Sequence, residues 1–269
     1  MTFFRNQILF AKKSYDSDAV TFFNRMTVQP NSTRKRLISD FFKGVKSDNG
    51  LGTLSQAFDC IWFYAGHNQV ETRLNWVKNA HNLTEVNTPT WTLDRGFKGN
   101  GSTMYLNTNY NPSTQGINFT QNDASFGIYS RTNEGFVGDT EMGLAILVYP
   151  IFLQIRRNTD LMSVGVNSPA PLTVTNTTGL GLFCGTRENS TTIKFWRNGI
   201  EISSQASTSQ TIDSDNVFTL ARSTGAGAVD SYSEREISFG YIGSAVRINQ
   251  LLLFNRVEEY LDAIGAGVV

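Results

Sequence analysis

The chain holds 269 residues, 40% of them hydrophobic and only 17% charged, with 23 basic and 23 acidic side chains. That length suits one large all-β domain with an appendage, or two modest domains, and an aromatic share of 12% argues against a disordered chain. Clustered Lys/Arg without interleaved aromatics are weak evidence for nucleic acid, which is not the expected partner, and no apolar run approaches the ~20 residues of a bilayer span, so no membrane partner is expected either.

The charge is unevenly placed. Residues 1–50 carry nine basic side chains (Arg5, Lys12, Lys13, Arg25, Arg34, Lys35, Arg36, Lys43 and Lys46) against four acids, an excess that the rest of the chain cancels. Arg34, Lys35, Arg36, Lys43 and Lys46 form a candidate docking surface for a partner of opposite charge, the plainer alternative being a solvated helix face. The first residues interrupt their apolar side chains with Arg5-Asn6-Gln7, which is not the pattern of a signal peptide.

Three amphipathic helices are expected first. Ser17 or Asp18 caps one that turns Val20, Phe23 and Met26 inward and stops at Gln29-Pro30. Asn31 or Ser32 caps a second, whose apolar stripe is Leu37, Ile38, Phe41, Phe42 and Val45. Leu51, Leu54, Phe58, Ile61 and Trp62 continue the helical period into a third, ending at Gly66.

Beyond Gly66 the pattern becomes that of short strands separated by turn residues. Strands are expected at 74–77, 83–86, 90–93, 104–106, 125–130, within 144–155, and at 172–175, 179–183, 218–221 and 236–242. Asn198-Gly199, between Ile193–Arg197 and Ile200–Ile202, predicts a hairpin with a type I′ turn. Gly99-Asn100-Gly101 precedes the strand-like Met104-Tyr105-Leu106. It reads as a hairpin turn rather than a phosphate loop, which needs Gly-Lys-Ser/Thr or G-x-G-x-x-G leading into a helix. Asp94 and Arg95 are expected to fix the neighbouring turn through a local ion pair. A closing helix places Leu253, Val257, Tyr260, Leu261 and Ile264 on one face and stops at Gly265.

Catalytic chemistry is sparse. His67 and His81 lack neighbours at metal-ligand spacing, and Cys60 and Cys184 read as buried small hydrophobes, so neither a metal nor a cofactor is expected. Two carboxylate pairs, Glu234/Glu236 and Asp139/Glu141, share a strand face at i, i+2, with Arg235 facing the other way. Both are read as solvent-facing acids, and a glycosidase pair is the minority alternative. Asp213–Asn216 reads as a plain turn rather than a Ca²⁺ loop. Tyr105, Tyr110, Phe119 and Trp196 are the candidate aromatic faces for carbohydrate, set against the ordinary fate of aromatics in a core.

Several segments carry a family resemblance. "LDRGFKGNGSTMYLNTNYNPST" followed by "NFTQNDASFGIYSR" resembles a block of tailed-bacteriophage virion proteins built on a concanavalin A-like (laminin G-like) sandwich. "TIKFWRNGIEI", "EREISFGYIGSAV" and "VEEYLDAIGAGV" are similar to their late hairpin, last strand and C-terminal helix. "NRMTVQPNSTRKRLISDFFKGVK" and "FYAGHNQVETRLNWV" are similar to their helical N-terminal part. The resemblance implies a mainly β, antiparallel jelly-roll sandwich over 67–247, a small helical module at 1–66 and a helix over 248–269 packed back on the body. It also implies a non-enzymatic structural component of the virion, set in fibre, tail or head, with other virion proteins, host-surface glycan and further copies of the chain as partners. The acidic strand motif of the family's enzymes is missing, so no catalytic residue carries over.

Overall fold

The computed structural model describes residues 14–269; Arg5, Lys12, Lys13 and the apolar segment around them lie outside the described residues. Helix α1 (Ser17–Phe23) is capped by the Asp16 carboxylate, which accepts from the Asp18 amide. Helix α2 (Ser32–Asp48) is capped by Asn31, which accepts from the Arg34 amide. Both caps satisfy N–H groups that lack a partner in the first helical turn.

Strand β1 (Phe58–Phe63) follows, then a single helical turn α3 (Gln69–Thr72) and the short strands β2 (Thr84–Val86), β3 (Thr90–Thr92), β4 (Gly96–Lys98) and β5 (Tyr105–Asn107). After a second turn α4 (Pro112–Gln115) come β6 (Ala124–Ser130), β7 (Met142–Leu144), β8 (Ile151–Gln154), β9 (Leu161–Gly165) and β10 (Leu172–Thr175). The chain then forms β11 (Gly181–Arg187), β12 (Thr192–Arg197), β13 (Ile200–Ala206), β14 (Phe218–Thr219), β15 (Arg222–Gly225), β16 (Ala228–Asp230) and β17 (Glu236–Gly243). It closes with α5 (Gln250–Ala263).

These strands make two sheets. The first runs β13-β12-β11-β6-β17-β4-β3, with β1 also on β17; the second runs β10-β9-β8-β7-β14-β5-β2, with β15 beside β7 and β16 on β15. Pairing is antiparallel except between β7 and β15. The inner faces bury Phe97, Leu106, Phe126, Ile128, Leu144, Leu153, Val164, Phe183 and Ile242 between the sheets. The outer face of the first sheet is covered by the helices. Phe22, Phe41, Phe42, Val45, Leu253, Val257 and Tyr260 pack there on Phe58, Phe63, Phe239 and Tyr241. The molecule is therefore a mainly β sandwich with a helical third layer.

Trp76 is the hub of that third layer. It stacks on Phe42 (ring centroids 5.6 Å apart) and lies 4.4 Å from Phe63, which is itself 4.5 Å from Tyr260. Arg256 of α5 ties to Asp48 of α2 at 2.7 Å. The segment 74–77 is a loop, not the expected strand, and the Asn75 side chain ties it to β1. The buried Asn75 accepts from the Ile61 and Val77 amides and donates to the carbonyls of Asp59 and Ala80.

The expected third helix is the second departure: 58–63 is a strand, and its six residues are all buried. Cys60 and Trp62 face the inter-sheet core while Phe58, Ile61 and Phe63 face the helices. A strand buried on both faces loses the alternation that identifies strands, and its apolar run then mimics a buried helix. The expected boundary at residue 66 thus falls after a strand of the sandwich.

The Asn198-Gly199 hairpin forms as the sequence predicts, with φ of 51° and 74°. Its tip lies against α5, where a Cβ on Gly199 would sit 2.4 Å from the Leu251 Cα. Gly199→Ala combines backbone strain with a backbone clash and is expected to cost about 2 kcal/mol, read as a lower urea midpoint at unchanged slope.

Candidate functional site

Residues at one end of the sandwich form a buried ionic cluster. Glu141 and Arg235 are fully buried, and Asp139 is 2% exposed. The Arg235 Nε donates to Glu141 Oε1 at 2.9 Å and lies 3.4 Å from Asp139 Oδ2. Its Nη1 donates to the Thr132 carbonyl at 2.7 Å and its Nη2 to that of Arg156 at 2.6 Å. Ser233 donates to Glu141 at 3.2 Å, and the Ile155 amide donates to Glu141 Oε2 at 2.7 Å. Burial, then the charge of Glu141, pushes the Asp139 carboxyl up to about 9. Its Oδ1 is buried with no hydrogen-bond partner. The Asp139/Glu141 pair is therefore interior, not solvent-facing as expected: the face it shares is turned into the end of the sandwich, where Arg235 meets it. Glu234 is exposed, and Glu236 pairs with Arg131 at 3.1 Å.

Above this cluster lies an open pocket of about 310 Å³, lined by Gly101, Gly135, Phe136, Val137, Asp139, Tyr232 and Glu234. The Arg235 guanidinium sits 5.0 Å from the centre of the Phe136 ring. The Tyr232 ring is 6.2 Å from Tyr105, which packs 4.7 Å from Phe218. The Gly99–Thr103 bend supplies one wall. It is not the expected hairpin turn, because β4 belongs to the first sheet and β5 to the second, so the bend carries the chain between layers. Asn100 Oδ1 holds it by accepting from the amides of Ser102, Thr103 and Met104. Gly101 has φ 70°, and a Cβ there would lie 2.6 Å from Glu234 Oε1, so glycine leaves room for that carboxylate.

The four predicted carbohydrate-facing aromatics separate. Tyr110 and Phe119 are buried at 0% and 1% exposure, which closes both to a ligand; the Tyr110 hydroxyl donates to Asp59 at 2.8 Å. Tyr105 supports the pocket through Tyr232. Trp196 lines a separate groove of about 300 Å³ with Glu188, Asn249 and Leu251, its Nε1 donating to Thr186 Oγ1 at 2.8 Å and Lys194 lying 5.6 Å above its ring. Phe136 and Tyr232 escaped the sequence reading. Tyr232 stands two residues before Glu234, and an aromatic beside an acid in a turn-rich stretch was the available signal.

The basic residues of α2 are largely committed within the chain. Arg34 pairs with Asp94 at 2.9 Å and lies over the Tyr260 ring. Lys46 pairs with Asp16 at 2.8 Å and with Asp18 at 3.4 Å. Lys43 donates to the Ser14 carbonyl, Lys35 lies 5.4 Å over the Phe23 ring, and Arg36 is exposed. These α2 side chains mostly clamp helices rather than offering a free docking face. Asp94 correspondingly pairs with Arg34 and not with Arg95, which reaches the carbonyl of Gly265.

Other acids pin loops. Asp213 accepts from the amides of Ile146, Leu147 and Val148, and Asp123 from those of Ala245 and Val246. His67 and His81 bond the carbonyls of Val28 and Asn109. Cys60 and Cys184 are free and buried, which pushes both thiols up. Among the described residues no group of three or more His, Cys, Asp or Glu is placed to hold a metal ion, and no helix is long and apolar enough to cross a membrane.

No known family model and no curated protein matches the chain. Solved structures do. A mutant of the Trypanosoma rangeli sialidase that displays trans-sialidase activity aligns with a TM-score of 0.54 and 11% identity over 88% of this chain and 39% of that one. The binding domain of botulinum neurotoxin DC in complex with SialylT aligns with a TM-score of 0.52 and 10% identity over 75% of this chain and 51% of that one. The chain spans about two fifths to one half of the proteins it matches. At such identities the likeness is one of fold: a β-sandwich of the kind these proteins contain.

Proposed function

We propose that this chain is a non-enzymatic, glycan-binding structural component of a tailed-phage virion, with the Tyr232–Asp139 pocket as its glycan site. The observation that carries the glycan reading is the pocket itself. It is open and loop-built at the end of a sandwich, and it offers aromatic side chains beside the Glu234 carboxylate and the Asp139 carboxyl, the combination that saccharide faces and hydroxyls require. The likeness to a toxin binding domain solved in complex with SialylT supports it at the level of fold. The virion setting rests on the segmental resemblance in the sequence, as does the expectation of several copies per particle. Immunogold labelling of intact particles tests that setting, and a label absent from the particle removes it.

Tyr232→Ala is expected to weaken glycan binding by about tenfold, the scale of one lost aromatic contact, with thermal stability nearly unchanged. A glycan array followed by calorimetry on the best hit checks this. One observation favours cleavage instead: a carboxyl held protonated, Asp139, and a second acid, Glu234, line the same pocket. Incubation with capsular polysaccharide separates the two readings. New reducing ends that disappear in Glu234→Gln would replace adhesion with hydrolysis.

A further inference from the structure

The pocket has an uneven charge. Its ionisable lining consists of Glu234, Asp139 and Tyr232, and no Lys, Arg or His lines it. The Arg235 guanidinium lies beneath Phe136 and is committed to Glu141 and to the carbonyls of Thr132 and Arg156. Arg235 and Glu141 offset one another, and Asp139 keeps its proton through burial and the adjacent Glu141. Glu234 at the mouth is left as the net charge of the site.

Asp139 adds an unmet demand. Its Oδ2 faces Ser233 and Arg235 at 3.5 and 3.4 Å. Its Oδ1 is buried and lacks any partner, and Asp139 is one of the residues that line the pocket. An unpartnered carboxyl oxygen in that position leaves a hydrogen bond unmade that a sugar polar group can supply.

We propose that the pocket selects uncharged or amino saccharides over acidic ones, with a sugar hydroxyl or ammonium group donating to Asp139 Oδ1 and the sugar ring against Tyr232. This rests on the glycan reading above and adds the class of sugar. A sialic or uronic carboxylate brought beside Glu234 meets like charge with no cation among the lining residues to receive it. That costs roughly tenfold in affinity at low salt and less as salt screens it.

The test is an array of neutral hexose, N-acetylhexosamine, amino-sugar, sialylated and uronate oligosaccharides, read at low salt, with thermal melts confirming that each variant is folded. Wild type is expected to bind the neutral and amino sets and to bind acidic ones about tenfold more weakly. Glu234→Gln is expected to close most of that gap. Asp139→Asn, which keeps a carbonyl oxygen, should retain binding; a folded Asp139→Val should lose it by about tenfold, the scale of one buried hydrogen bond. Equal or tighter binding of acidic glycans overturns the charge selection while leaving the glycan function intact. Unchanged binding by Asp139→Val overturns the role of Oδ1, and binding that survives Tyr232→Ala removes the site from this pocket. No binding of any glycan defeats this inference and the proposed function together.

Discussion

Replacing Asp59 with alanine is expected to lower the stability of the protein by about 4 kcal/mol. The side chain is 1% exposed and accepts from the Tyr110 hydroxyl at 2.8 Å, the Phe119 amide at 2.9 Å and the Asn118 amide at 3.1 Å. The Ile117 amide and the Asn118 side-chain nitrogen, both at 3.2 Å, complete its set. The register of β1 against β17 slips between Phe58 and Cys60, and this bulge turns Asp59 out of the ladder toward residues 117–119. Alanine leaves several buried donors unmet at once, and their desolvation cost is what makes the loss large. Asp59→Asn recovers only part of it, because its amide nitrogen then faces other N–H groups. Thermal denaturation checks the prediction, with a midpoint drop on the order of 10 °C for the alanine variant in a chain of this size. A drop of only one or two degrees would show that water replaces the carboxylate without loss.

Arg235→Met carries the second large effect, about 3–5 kcal/mol near neutral pH, because it strands Glu141 and Asp139 in the interior without their cation. It also predicts a pH signature. In the folded wild type the Asp139 carboxyl is raised from 3.8 to about 9, so the native state holds a proton that the unfolded chain has released. Its contribution is therefore most favourable below pH 3.8 and declines as pH rises toward about 9. Asp139→Asn removes that titration and is expected to flatten the decline. Arg235→Met removes the cation that opposes the upward shift and is expected to be most damaging at the alkaline end. Urea unfolding of the three proteins across that window decides the matter, and a wild-type stability that climbs from pH 5 to 9 would contradict it.

Helix α2 and the β12–β13 hairpin were legible because each obeys one local rule: a polar cap followed by a stripe at helical period, and Asn-Gly between two alternating strands. Where tertiary context decides, the sequence misled. β1 lies between two hydrophobic layers and so shows no alternation. Gly99–Gly101 looked like a hairpin tip, yet whether a bend reverses the chain within one sheet or passes it to the next depends on partners far away in sequence. Tyr110 and Phe119 looked like binding aromatics beside polar loop residues, but those loops are drawn inward by a carboxylate some fifty residues earlier. The pocket joins residues near 101, 136 and 232, a juxtaposition that no local pattern encodes. The basic stretch of α2 was read correctly as charge but not as a clamp, because Asp94 and Tyr260 are remote from it in the chain.

The layer on the outer face of the first sheet is assembled from segments more than 200 residues apart in the sequence: Arg34 lies against Tyr260, and Asp48 against Arg256. During synthesis on the ribosome, α1 and α2 emerge long before β17 and α5 exist to receive them. The faces of Phe41, Phe63 and Trp76 that Tyr260 covers accordingly stay exposed until α5 is made. A nascent chain stalled before residue 250 is then the form most prone to aggregate, and the form in which a chaperone that binds exposed aromatics has the most to hold.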